Sequence, residues 1–167
     1  MDSTSQKSTI LTGRSALHGR ATTMLPNPNG GKPGLVFCEL AHLGKLNMRA
    51  TKSASKIVKS ITGCAFPPAA NKFTTAGERH VVWLGPDEFM IICEAGKDEE
   101  LINATHASFE SQHVAITNIT DALAAFHLKG DAVRQVLAKG CAIDLHHSSF
   151  TSGDAAQTLL SHAAVTI

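Results

Sequence analysis

What most constrains this chain is a hydrophobic period that switches between two and 3.6 along its length. From Leu35 onward, pairs of short alternating segments are separated by single helical stripes. Period two turns one face of a strand toward a core, and period 3.6 does the same for a helix. Residues 35–40 and 45–49 read as strands joined around His42, Leu43 and Gly44. Ala54, Ile57, Val58 and Ile61 then fall at i, i+3, i+4 and i+7. This is one helical stripe, which Thr51 or Ser53 can cap and Gly63 can end. A proline-containing loop runs on to Gly77.

Residues 79–84 and 88–93 are strands around the turn Gly85-Pro86-Asp87-Glu88, where Pro86 presets the backbone dihedral. A second helix occupies about 97–110, with Asp98, Glu99 and Glu100 in its first turn, where the helix dipole favours anions. Strands 114–119 and 122–128 follow, then a short helix capped by Asp131, carrying Val133, Val136 and Leu137 and stopped at Gly140. Leu159, Ser161, Ala163, Val165 and Ile167 alternate along a last strand. The order is ββ-α-ββ-α-ββ-α-β. Hairpins alternating with three helices predict an α+β fold with an antiparallel sheet, not a doubly wound parallel one.

The first 34 residues are of another kind. Residues 26–34 read PNPNGGKPG, a cluster of breakers, so 1–34 is expected to be an extended or disordered N-terminal arm. Residues 35–167 are then a single domain, and a domain near this size hides roughly 70% of its unfolded surface.

Composition excludes several functions. With 15 Lys and Arg against 14 Asp and Glu, the net charge of +1 offers no footprint for nucleic acid or an anionic membrane. The longest apolar runs, 89–93 and 122–126, fall far short of the about 20 residues a bilayer span needs. No secretory apolar stretch opens the chain, and Cys38, Cys64, Cys93 and Cys141 are too far apart for any CxxC signature. The expected setting is cytoplasmic, with reduced thiols. Charged residues make up 17%, below the roughly 25% usual in soluble domains, which fits either chance or a surface crowded by partners.

Candidate chemistry is sparse. His146 and His147 with Cys141 and Asp144 suggest a metal cluster, but neighbouring histidines have no shared geometry and the spacing occurs once, so no metal site is assigned. His80 and His127 sit in strands and read as structural histidines rather than catalytic bases. Cys64 and Cys141 each lie beside a glycine after a helix, where the negative dipole end disfavours a thiolate. Asp87, Glu88 and Asp121 fall at turns, which Asp serves by bonding its own backbone. No nucleophile elbow, phosphate-binding loop or dinucleotide fingerprint is present. No residue is assigned a catalytic, cofactor-binding or metal role.

Taken in order, several segments resemble one family, the gamma subunit of heterotetrameric sarcosine oxidase. They are Leu43-Gly-Lys-Leu-Asn-Met-Arg49, Trp83-Leu-Gly-Pro-Asp-Glu-Phe89, Ile119-Thr-Asp121, Leu128-Lys-Gly-Asp-Ala132, Leu137-Ala-Lys-Gly-Cys-Ala-Ile-Asp-Leu-His146 and Ala156-Gln-Thr-Leu159. The strings at 84–88 and 139–146 are the most specific. The resemblance implies a fold similar to the folate-binding portion of the glycine-cleavage T-protein (aminomethyltransferase). It also implies a non-catalytic subunit in an oxidoreductase complex that demethylates sarcosine to glycine, with formaldehyde or methylene-tetrahydrofolate and hydrogen peroxide as products. The implied partners are alpha, beta and delta subunits, which would hold FAD, FMN, NAD, tetrahydrofolate and zinc. Gly85, Pro86, Asp87 and Glu88, with Gly140, Cys141, Asp144, Leu145 and His146, are candidates for subunit contact or packing, and the arm is another. The competing expectations are a gamma-like subunit of a related N-methyl-amine oxidase or dehydrogenase, and a stand-alone folate-binding protein.

Overall fold

The structure, a computed structural model, describes residues 13–20, 22–27, 30–109 and 114–167. Its strands are β1 (Thr23–Leu25), β2 (Leu35–Glu39), β3 (Gly44–Arg49), β4 (Phe73–Ala76), β5 (Arg79–Gly85), β6 (Glu88–Cys93), β7 (Ala115–Asn118), β8 (Phe126–Lys129), β9 (Gln157–Leu160) and β10 (Ala163–Thr166). The helices are α1 (Ser55–Thr62), α2 (Asp98–Ser108) and α3 (Val133–Leu137). Every strand pair is antiparallel, as the hairpin pattern predicts.

A five-stranded sheet, in the order β4-β5-β6-β3-β7, holds the core. On one of its faces Leu46 and Met48 of β3, Phe89, Ile91 and Cys93 of β6, and Val81 of β5 pack with Ala54 and Val58 near α1 and Leu101 of α2. Alternation by two supplies the sheet side, and the 54, 57, 58, 61 stripe supplies the helix side, with Ile57 and Ile61 at its margin. The opposite face carries a smaller cluster of Val82, Met90 and Ala155. The chain from Gly153 to Ala155 reaches it by pairing beside β4, where Phe73 N–H donates to Gly153 O at 3.0 Å and Ala155 N–H to Asn71 O at 2.9 Å.

The strand pairing differs from the local expectation. Segments 35–40 and 45–49 do not fold back on each other, nor do 114–119 and 122–128. β2 pairs with β8 in register Cys38↔His127, and β3 pairs with β7 in register Asn47↔Thr117. The bonds continue between the two pairings, with Leu40 N–H to Ala125 O and Ile119 N–H to Lys45 O, both at 2.9 Å. Residues 35–49 therefore run along 115–129 as one ribbon. Partner numbers sum to 165 in its first half and 164 in its second, a one-residue slip at which the ribbon bends. His42 takes φ 58° at this bend, and residues 120–122 form a 3-10 turn containing Asp121. One end of the ribbon belongs to the five-stranded sheet and the other to a three-stranded sheet, β1-β2-β8.

Other departures are local. β1 is a strand inside the segment read as an arm, while residues 1–12, 21 and 28–29 of that segment lie outside the described residues. β4 occupies the end of the expected loop and turns into β5 through Gly77, φ 59°. The single last strand is a hairpin, β9 and β10, with Ser161 at φ 57° in its two-residue turn. Neither Thr51 nor Ser53 caps α1, because their hydroxyls bond each other at 2.7 Å. Asp131 does not cap α3; Ala132 stands at that position. Gly63 ends α1 as expected, at φ 78° with its N–H on Lys59 O.

Two predictions follow from this packing. Gly130 has φ 129°, and a methyl group there would meet the Gly34 carbonyl carbon at 2.8 Å and Leu35 Cα at 3.2 Å. These neighbours are backbone and cannot swing away, so Gly130→Ala should cost about 3 kcal/mol by urea unfolding, and a loss under about 0.5 kcal/mol contradicts the contact. The second concerns Asp154, whose carboxyl is held down at about 2, against 3.8 ordinarily, by Lys72 and then by the Thr151 N–H and hydroxyl. A depressed folded pKa stabilises above the unfolded value and is lost as pH falls through the folded one. The Tm difference between the parent and Asp154→Asn should hold at pH 7 and close as pH falls from 3.8 toward 2; a difference independent of pH contradicts it.

Candidate functional site

The turn at 85–88 joins β5 to β6 after a bulge between Trp83 and Gly85. Asp87 O accepts Ala50 N–H at 2.9 Å, which fixes the chain as it leaves β3. Glu88 lies opposite Arg49 in register and accepts from its guanidinium at 3.0 Å. The other Glu88 oxygen accepts from Asn47 Nδ2 at 2.7 Å. Arg49 also lies 3.6 Å from Asp87, where both side chains are more than half exposed, so that pair adds little. Gln157 of β9 donates to Leu84 O at 2.8 Å, tying the last hairpin to the same turn. The Glu88 carboxylate thus holds two side chains of β3, and Asp87 holds the end of β3 through its main-chain carbonyl.

The loop at 140–146 is a second joint. Cys141 is buried and forms an isolated bridge with Leu160, while Gly140 O accepts Ser161 N–H at 2.7 Å. The Cys141 thiol faces the Thr158 hydroxyl at 3.9 Å. Leu145 is buried, and its carbonyl accepts from the Arg134 guanidinium of α3. Asp144 Oδ1 accepts His146 N–H at 2.9 Å, and bonds from Ser149 and that N–H hold its carboxyl below the usual range. His146 and His147 are exposed, their rings tilted 4.5 Å apart, and His146 Nδ1 bonds Ser148 Oγ at 2.8 Å. The Cys141 side chain points to β9 and the histidines to solvent. Among the described residues, no three His, Cys, Asp or Glu side chains converge where a metal ion could sit.

The two motifs are not brought together into one site. His80 packs edge-on to Phe73, ring centres 6.0 Å apart, and His127 is exposed on β8. Two clefts, of about 270 and 300 Å³, open instead along the ribbon bend and touch neither motif. Sequence reasoning passed over Lys45, which lines the larger cleft and is 5% exposed. No sequence signal marked it, because Lys45 alternates with Leu46 and Met48 on the polar side of β3, with Asn47 and Arg49.

The thiols are distinguished by burial. Cys93, walled in between β3 and α2, is pushed up to about 11 by burial and by the nearby Asp98 and Glu94, and burial also raises Cys64. Cys38 alone among the four is half-buried. Native protein at neutral pH should therefore react quickly with a disulfide reagent at Cys38 only, and with all four thiols after unfolding. Rapid native labelling of Cys64 or Cys93, mapped by peptide mass, contradicts this packing.

Comparison with known proteins places these joints in a family. Residues 49–167 match the family described as sarcosine oxidase, gamma subunit. The sarcosine oxidase subunit gamma of Corynebacterium sp. (strain U-96) is 26% identical over 140 residues, 81% of this chain and 66% of that protein. The subunit of the same name from Arthrobacter sp. is 27% identical over 134 residues, 78% of this chain and 65% of that protein. The chain spans just under two thirds of the length of these relatives. A chain of the heterotetrameric sarcosine oxidase from Corynebacterium sp. U-96, solved in complex with pyrrole 2-carboxylate, has a TM-score of 0.73 at 25% identity, covering 82% of this chain and 70% of that one. The family match takes in more than half of the chain and contains both the 85–88 turn and the 140–146 loop, so the chain belongs to the sarcosine oxidase gamma subunit family.

Proposed function

We propose that this chain is a non-catalytic, architectural subunit of a heterotetrameric sarcosine oxidase. The complex would demethylate sarcosine to glycine and release hydrogen peroxide with formaldehyde or methylene-tetrahydrofolate. The observation that carries the reading is that the family match runs through both motifs while their Glu88 and Asp144 carboxylates and their Asp87 and Gly140 carbonyls bond at turns and strand junctions. The fold is then a relative of the folate-binding portion of aminomethyltransferase, with residues 35–167 as the domain and 1–34 as an arm. Alpha, beta and delta subunits would hold the flavins, NAD, tetrahydrofolate and zinc, in a cytoplasmic complex.

Support for a partner-covered surface comes from the exposed apolar side chains. Among the described residues the large ones are Met24, Leu25, Leu40, Leu123, Phe126 and Leu159. All but Leu159 lie on the three-stranded sheet or at the ribbon bend. Such a concentration on one substructure is what a subunit contact leaves when its partner is removed. The 85–88 turn and the 140–146 loop are the further contact candidates.

Purified alone, the chain should give no peroxide from sarcosine. Co-expressed with a flavin-bearing subunit, it should elute with that subunit on size-exclusion chromatography. Peroxide production by the isolated chain, or a monomer that ignores such partners and binds tetrahydrofolate by itself, overturns the proposal.

A further inference from the structure

The larger cleft at the ribbon bend has an unusual electrostatic floor. Lys45 is 5% exposed, and Arg14, Glu39, His42 and Asp121 complete its ionisable lining. Thr120 fixes the Lys45 backbone, its hydroxyl oxygen accepting Lys45 N–H at 3.0 Å. The Lys45 ammonium donates to Leu43 O at 2.7 Å. An ammonium carries three N–H donors, so two lack a protein acceptor among the described residues. Burial lowers the Lys45 pKa, with Asp121 the foremost of the charges that oppose the shift.

The other charges divide into engaged and free. Glu39 Oε2 accepts Leu17 N–H at 3.0 Å and so holds the preceding segment against the bend. The Asp121 carboxylate and the Arg14 guanidinium have no hydrogen-bond or ion-pair partner among the described residues. A lone anion entering here gains Lys45 and Arg14 but meets Glu39 and Asp121. A lone cation gains Asp121 but meets Lys45 and Arg14. A small molecule carrying both signs satisfies the free groups together, and a cleft of about 300 Å³ is ample for it.

We propose that this cleft binds a small zwitterionic α-amino acid, its carboxylate on the Lys45 ammonium and its amino group on the Asp121 carboxylate. The cleft is lined by this chain's own residues, and its rim includes Leu40 and Leu123 of the proposed partner contact, so the free chain is the form to test. It is tested by amide NMR titration of the full chain with glycine and with N-methylglycine, using acetate and methylammonium as single-charge controls.

Saturable shifts at Lys45, Thr120 and Asp121 are expected with either amino acid in the millimolar range, with each control about tenfold weaker, the scale of one lost charged hydrogen bond. Asp121 is exposed and makes no hydrogen bond among the described residues, so Asp121→Asn should remain folded while weakening glycine about tenfold. Lys45→Met should abolish the acetate response. Acetate binding as tightly as glycine with no effect of Asp121→Asn overturns the proposal. So does the absence of any saturable shift, which leaves water to complete the Lys45 shell.

Discussion

The ribbon formed by residues 35–49 against 115–129 is the constraint on which the rest of the structure depends. Its pairing runs through a one-residue slip, so a single pair of strands serves two sheets and turns between them. Beyond the bend, β3 sits between β6 and β7, and Leu46 and Met48 are carried into the main core. Before the bend, β2 sits between β1 and β8 and leaves much of its surroundings exposed. A close approach reinforces the register: Gly44 faces Cys93 across the pair, and a methyl group at Gly44 would meet the thiol at 2.5 Å. A side chain at 44 would therefore have to displace the buried Cys93 thiol where the ribbon enters the five-stranded sheet.

With the ribbon fixed, the two specific motifs have evident work. The 85–88 turn closes the β5–β6 hairpin and locks the end of β3 through Ala50 N–H and the Asn47 and Arg49 side chains. The 140–146 loop brings α3 against the β9–β10 hairpin through Arg134, Cys141 and Gly140. Gln157 then joins that hairpin to the first turn. The bonds to Gly140, Cys141 and Leu84 anchor the β9–β10 hairpin, which is marginal as an isolated two-stranded unit. The low charge content acquires a location as well, since exposed apolar groups gather on the three-stranded sheet rather than across the surface.

Period-reading recovered the elements whose side chains alternate against the core: β3, β5, β6, α1 and α2. It failed on pairing, because a short link containing His42, Leu43 and Gly44 looks the same whether the chain reverses or runs on. What decides is the partner strand more than 70 residues away, joined by bonds such as Lys45 N–H to Thr120. β10 was merged with β9 because the alternation passes unbroken through a turn made by Ser161 and His162 instead of the usual glycine pair. The bonds that the motif residues make at the 85–88 turn and the 140–146 loop became legible only from distances. The bend cleft escaped because its ionisable groups, Arg14, Glu39, Lys45 and Asp121, are drawn from separate parts of the chain.

As proposed above, the residues of the 85–88 turn and the 140–146 loop hold the fold and carry no chemistry. The most direct measurement is turnover per assembled complex when this chain, bearing Glu88→Gln, Cys141→Ser and His146→Asn together, is co-expressed with the flavin-bearing subunits proposed as its partners. The account predicts sarcosine turnover per flavin within about twofold of the parent, with any loss appearing as a lower Tm or a lower yield of complex. A fully assembled complex of unchanged Tm whose turnover falls by about a hundredfold, the scale set by removing a general acid or base, would contradict it.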